Sequence, residues 1–437
     1  MKEEFLYYLW KSGRLFQNNL RTTKGQKITV IKPGYRNLSG GPDFLDAKLK
    51  IGEITWHGQI EFHLKSSDWN AHKHHQDSNY NSVILHVVMR DDKPIFTKKG
   101  SPLPTLELEC YADENLLKKY SELQKRKGWV ACDALSKNKD LSFCWPVFLS
   151  SLGIERLEQK SEKILFLLHR QKGDWDAVVA VLMARYLLGK ANGETAVELL
   201  TTLPFKLIHR YAANLTKLES LLFGQAGFLQ KEIDDPYYKT LQSHYNHLKK
   251  LHHLHCINPG QWKFMTVRPP AFPTIRLSQW CGLFSQFPRP LSLFLNQNSA
   301  DELRSKLRVK ASPYWNTHYT FGKKGAKKRK GALGKSTLDN LILNVASPVL
   351  FAYSIHQGKD ELREKALEWI ESIEPEKNSI ISKWKKREVP AYNALDSQAL
   401  IQLKREYCDK SRCLDCAFGS HLLGSEKRVN ELETSSL

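Results

Sequence analysis

The run Gly58-Gln59-Ile60-Glu61-Phe62-His63-Leu64-Lys65 alternates apolar and ionisable residues with a period of two, a pattern that a β-strand satisfies and an α-helix does not. On a strand, Ile60, Phe62 and Leu64 face a core while Glu61, His63 and Lys65 face outward together. An acid, an imidazole and an ammonium are thereby set in one row. A second carboxylate, Asp43 of Gly41-Pro42-Asp43-Phe44, arrives from the preceding strand. Asp43 and Glu61 together suit a hard divalent cation, magnesium or manganese. Lys65 or His63 would then orient a bound water or assist its deprotonation.

The texture around this strand changes once along the chain. Phe5, Leu6, Leu9 and Trp10 recur at helical spacing within residues 3–16, and Gly13 marks a stop. Strand-like segments follow at Ile28–Ile31, Phe44–Ile51, Ile54–Leu64 and Val83–Val88, separated by Gly-rich or polar turns. Beyond Glu109 the remainder reads as helices, over Ile154–Gln171, Trp175–Leu188, Thr195–Leu200, Leu207–Phe223, Tyr237–His253, Ser336–Gln357 and Lys359–Ile373. The expected class is α+β, an N-terminal helix and mixed β-sheet followed by a large, mainly α-helical region. At 437 residues the chain exceeds what one hydrophobic core usually serves. Three domains are expected, at 1–110, 111–260 and 261–437.

Asp43, then Glu61 on an apolar strand with basic residues beyond it, resembles the PD-(D/E)XK nuclease superfamily, in which such carboxylates bind magnesium. The lysine expected two residues after the glutamate is His63 here, so Lys65 on the same face, or His63 itself, would have to replace it. In that superfamily the opening helix often adds an acidic residue; Glu3 or Glu4 would serve, and Glu4 is the choice here. The resemblance implies a nuclease that uses magnesium or manganese, or alternatively an inactive nucleic-acid-binding protein on the same scaffold. Over its whole length the chain is similar to a bacterial family known only as domain of unknown function 2851. The shared features are the Gly-Pro-Asp-Phe run, Ser67-Asp68-Trp69 and the C-terminal cysteines. That family carries no established activity.

Between the last two of these strands lies Asp68-Trp69-Asn70-Ala71-His72-Lys73-His74-His75-Gln76-Asp77, and His86 falls on the strand that follows. His72 and His75, three apart, share a helical face with Asp77 close by, a donor set suited to zinc or manganese. Proton transfer or phosphate contact beside Asp43 and Glu61 is the other role open to these imidazoles.

A net charge of +20 favours a polyanionic partner, in the cytoplasm most often nucleic acid. Lys323, Lys324, Lys327, Lys328, Arg329 and Lys330 form a basic, glycine-containing loop that can neutralise phosphates without reading sequence. The aromatic stretch Tyr314–Phe321 before it offers rings for stacking on unpaired bases. Arg268–Leu277, with three prolines, reads as an extended connector. Cys408, Cys413 and Cys416 form a metal-binding pattern for a reducing compartment, where disulfides do not persist. Cys132 is the first candidate for the fourth ligand, with Cys256, Cys281 or a histidine behind it, around zinc or an iron–sulfur cluster. Some nucleases of the Asp43/Glu61 type carry a similar iron–sulfur arrangement, with the lone cysteine placed before the catalytic core. No apolar run approaches the roughly 18 residues that span a bilayer, and Met1-Lys2-Glu3-Glu4-Phe5 lacks a signal-like pattern. A cytoplasmic protein without membrane contact is expected.

Overall fold

The structure, a computed structural model, describes residues 2–11, 13, 15, 19–37, 40–111, 114–125, 128–132, 145–325 and 331–424. The chain divides into two compact units. One contains Met1–Phe148 with Leu403–Leu437, and the other contains Leu149–Gln402.

In the first unit, helix α1 (Glu3–Lys11) buries Phe5, Leu6, Tyr8, Leu9 and Trp10, as their spacing requires. Six strands follow: β1 (Ile28–Lys32), β2 (Tyr35–Arg36), β3 (Phe44–Ile51), β4 (Ile54–Lys65), β5 (Val83–Arg90) and β6 (Thr105–Glu107). They form one mixed sheet in the order β1-β3-β4-β5-β6, with β2 also on β3. The β1–β3 and β3–β4 pairs are antiparallel, and the β4–β5 and β5–β6 pairs are parallel. Parallel neighbours cannot be joined by a tight turn. The β4–β5 connection accordingly crosses over through helix α2 (Asp68–Ala71) and two 3₁₀ turns, His74–Gln76 and Ser78–Ser82. The α+β class expected from the sequence is the class observed.

Two local features set the geometry of β4. Register slips between Phe44 and Ala47, where Asp46 takes a left-handed φ of 58°; this bulge re-aims the start of β3 relative to β4. At Gly58 an added Cβ would lie 2.4 Å from the Ser82 carbonyl and 2.5 Å from Ile84, so only glycine admits the close approach of β5. Helix α3 (Glu114–Lys125) adds Leu116, Tyr120 and Leu123 to the core, with Tyr120 stacked on Phe5 at 4.5 Å. Leu423, from the terminal helix Ala417–Gly424, joins the same core.

The second unit is helical around one apolar core. Its departures from the periodicity reading have chemical causes. The expected Leu207–Phe223 helix is two, Phe205–Tyr211 and Leu215–Gln225, because the Asn214 side chain accepts the Lys217 N–H and starts a new helix. Within Lys335–Gln357 the residues Ile342–Ala346 form a π-turn just ahead of Pro348, which lacks the N–H a regular turn would need. This run is long and apolar enough to cross a membrane, yet 72% of its apolar window is buried in the structure. The Arg268–Leu277 segment is not extended throughout: Pro273 opens a helix, Pro273–Gln286, that buries Trp280, Leu283 and Phe284. Proline is favoured at a helix start, where its missing N–H would have no partner anyway.

Candidate functional site

The exposed half of β4 ends at Gln59; from Ile60 to His63 every residue is buried, on both faces. Alternation therefore places Glu61 and His63 together as expected, but under cover instead of in solvent. The cover is the β4–β5 crossover, and hydrogen bonds hold it down. Asp92 accepts from the Ser66 hydroxyl (3.0 Å), the Ser67 N–H (2.9 Å) and the Ser67 hydroxyl (2.8 Å), while Asp68 accepts the Lys65 N–H (3.0 Å). Trp69, 1% exposed, donates its indole N–H to the Phe96 carbonyl and packs against His74 and His86. Lys73 adopts a left-handed φ of 63°, and the sharp turn it makes carries both His72 and His74 toward His63.

The two carboxylates meet through the backbone. The Asp43 N–H donates to Glu61 Oε2 (3.0 Å), and the Phe62 N–H donates to Asp43 Oδ2 (3.0 Å). Tyr7 of α1 donates its hydroxyl to Asp43 Oδ1 at 2.7 Å. Glu61 Oε1 is left facing the histidines, 3.4 Å from His74 Nε2 and 3.7 Å from His63 Nε2. His63 Nε2 is also 3.1 Å from His72 Nδ1, and one nitrogen each of His63, His72 and His74 lie within 4.8 Å of one another. On the far side of the ring, His63 Nδ1 contacts His86 Nε2 at 2.8 Å.

Burial dominates the electrostatics. Neither Asp43 nor Glu61 forms an ion pair with lysine or arginine among the described residues. Burial, reinforced by Asp43 and Glu3, pushes Glu61 up to about 9, and burial raises Asp43 as well. Burial lowers the imidazoles and their mutual repulsion adds to it, taking His63 to about 2, His86 to about 3 and His74 to about 4. Near neutral pH His63, His74 and His86 are therefore uncharged, with lone pairs free to bind a Lewis acid. His86 Nδ1 is buried without a partner. If that nitrogen carries the His86 proton, His86 Nε2 accepts from His63 Nδ1–H, and the His63 Nε2 lone pair is directed at His72, His74 and Glu61.

Asp43, Glu61 and His63 thus converge, and Lys65 does not join them. It lies at the exposed end of β4, and its ammonium makes no hydrogen bond or ion pair among the described residues. Glu4 is exposed, with its charge felt by Tyr120, whereas Glu3 is the helix acid that acts on Asp43 and Glu61. On a helix, Glu3 and Tyr7 share one face and Glu4 the next, so a four-residue spacing could have singled out Glu3. His75 and Asp77 are outside the histidine trio; His74 takes the place expected of His75 because Lys73 breaks the helix. Arg36, exposed on β2, lies over the Tyr7 ring at 4.8 Å and lowers the Asp43 pKa electrostatically. Nothing in its local sequence singled it out.

Elsewhere, Lys323 and Lys324 are exposed on a short hairpin strand, while Lys327, Lys328, Arg329 and Lys330 lie outside the described residues. The aromatics ahead of them pack on one another and are not presented for base stacking. Trp315 is fully buried, and Tyr314 stacks on His318 at 3.9 Å and on Tyr237 at 4.3 Å. Cys132, Cys408, Cys413 and Cys416 line one cavity of the first unit, whereas Cys281 is buried in the helical unit and Cys256 accepts a hydrogen bond from Gln230 there.

Over residues 3–379 the chain matches the family described as protein of unknown function (DUF2851), and it belongs to that family. No curated protein and no solved structure matches it.

Proposed function

We propose that this DUF2851 member is a metal-dependent nuclease, hydrolysing phosphodiester bonds of DNA or RNA at the site around Asp43 and Glu61. The observation that carries the reading is a pair of buried carboxylates, without a lysine or arginine ion pair among the described residues, set against three mutually close imidazoles. An uncompensated acid pair of this kind is costly unless protons or a cation balance it. The order helix, strand meander, a carboxylate just before β3 and another on β4 also agrees with the resemblance to PD-(D/E)XK nucleases.

The residues that would hold the ion are Glu61 through Oε1 and His63, His72 and His74 through nitrogen. A nitrogen-rich set favours manganese or zinc over magnesium, which prefers oxygen. When bound, such an ion supplies a water of lowered pKa and offsets phosphate charge. Asp43, oriented by Tyr7 and the Phe62 N–H and made more basic by burial, accepts the proton of the attacking water. His63 holds the ion instead of acting as base, because its second nitrogen is engaged by His86. Arg36, beside Asp43 and open to solvent, offers the guanidinium that contacts the phosphate in place of a lysine. The +20 charge, with Lys323 and Lys324 exposed, supplies sequence-independent affinity for the strand.

Purified protein incubated with single- and double-stranded DNA and RNA, in magnesium, manganese or zinc, tests the proposal beside Asp43→Asn and Glu61→Gln. Cleavage that needs manganese or zinc and disappears in both variants is expected; cleavage that persists in both sinks it. The solvent-facing Lys65 favours one other reading, a scaffold that binds nucleic acid without cutting it. Salt-dependent binding without cleavage would select it, provided binding survives Glu61→Gln and falls when Lys323, Lys324, Lys327, Lys328, Arg329 and Lys330 are neutralised.

A further inference from the structure

Four cysteines from two distant parts of the chain meet in one cavity of the first unit. Cys132 follows helix α3, and Cys408, Cys413 and Cys416 come from the segment that ends in the helix Ala417–Gly424. Leu123 and Ala131 complete an apolar wall.

The local backbone is shaped around these sulfurs. Ser411 takes a left-handed φ of 54° between Cys408 and Cys413. At Gly419 an added Cβ would sit 1.8 Å from the Cys413 carbonyl oxygen, so the first turn of the terminal helix lies directly on the Cys413 backbone. Cys416 immediately precedes that helix; burial pushes its thiol up to about 12, and the N–H groups of Phe418 and Gly419, which its sulfur accepts, offset that only in part. Burial and the neighbouring cysteines push the Cys408 thiol up as well, and Lys404, ion-paired to Asp409, opposes them only weakly.

We infer that Cys132, Cys408, Cys413 and Cys416 ligate a thiolate-bound metal centre that ties the C-terminal segment to the end of α3. Tetrahedral zinc, with Zn–S near 2.3 Å, brings its sulfurs to about 3.8 Å of one another. Among the described residues the trio of potential ligands mutually within 4.8 Å is the histidine trio, and no three of these sulfurs approach so closely. Wider spacing suits an iron–sulfur cluster, in which each cysteine binds a different iron. The inference is independent of the nuclease reading, because none of these residues touches the Asp43–Glu61 site.

Full-length protein purified without oxygen should contain one centre per chain, read by iron, zinc and sulfide analysis, visible absorption, and X-ray absorption at the metal edge. Iron with sulfide and broad visible absorption, or one zinc, with sulfur in the coordination shell, supports the site; the two results separate cluster from single ion. Cys132→Ser and Cys408→Ser should each lose this metal, while Glu61→Gln should keep it. Absence of iron and zinc with all eight cysteines titratable as thiols, or a metal edge showing only nitrogen and oxygen neighbours, overturns the inference. The edge measurement uses unaltered protein, so it decides the question even if the serine variants fail to fold.

Discussion

Replacing Glu61 by glutamine should stabilise the metal-free protein while destroying its capacity to hold the ion. The buried carboxyl, with its pKa pushed from 4.5 to about 9, stays protonated near neutral pH in the folded state, whereas in the unfolded chain it ionises. A group whose folded pKa is raised contributes stability below its unfolded value and loses it as pH climbs toward the folded one. At pH 7, two and a half units above 4.5, that loss amounts to about 3 kcal/mol, and it grows by roughly 1.4 kcal/mol per further pH unit until about pH 9. Glutamine resembles the protonated acid in shape and still accepts the Asp43 N–H, yet it never ionises. His63, His74 and His86 drop out of this window: with pKa values pushed below the ordinary 6.5, they are neutral in both states above pH 7. Hydrogen exchange of peptides covering Ile54–Lys65 and Val83–Arg90, in chelator at pH 7 and pH 8, reads the effect within the first unit. The variant should be the better protected at both, by a margin that widens between them. A margin that stays constant or shrinks as pH rises would refute the account of Glu61 as an uncompensated buried acid.

Three further outcomes follow from the same geometry. Binding of manganese or zinc should tighten about tenfold per pH unit between 7 and 9, because Glu61 must release its proton; calorimetry in buffers of different ionisation enthalpy should count close to one proton released. His86→Phe, which removes the partner of His63 Nδ1 while filling the space, should weaken metal binding about 10- to 100-fold, whereas unchanged affinity would show that His86 does not orient His63. Gly58→Ala should cost about 2 kcal/mol in exchange protection of β4 and β5, since the new methyl meets the Ser82 carbonyl and Ile84; protection equal to that of the unaltered protein would count against the close approach of the strands.

Elements whose signal is local were legible in the sequence. The period-two run from Ile60 to Lys65 and the helical spacing of Phe5, Leu9 and Trp10 both gave their elements, because burial of one face demands that spacing. The grouping of Cys132 with Cys408, Cys413 and Cys416 around one cavity was also anticipated, from the close spacing of the three C-terminal cysteines. The helix Pro273–Gln286 was not, because three prolines read as extended chain when one of them in fact opens a helix.

By itself the sequence determined which residues could share a face: Glu61 with His63 on β4, and the apolar side of α1. It also determined the class, an N-terminal sheet followed by helices, through the change from period two to period 3.6. Only the tertiary structure decided that the polar face of β4 is buried, that His74 and not His75 turns inward at Lys73, and that Glu3 and Arg36, not Glu4 and Lys65, act on Asp43. Each of these depends on helix α1, a crossover loop or a neighbouring strand packing against β4. Periodicity records which way a side chain leaves its own backbone; what then covers it, and hence its charge and its chemistry, is set by segments distant in sequence.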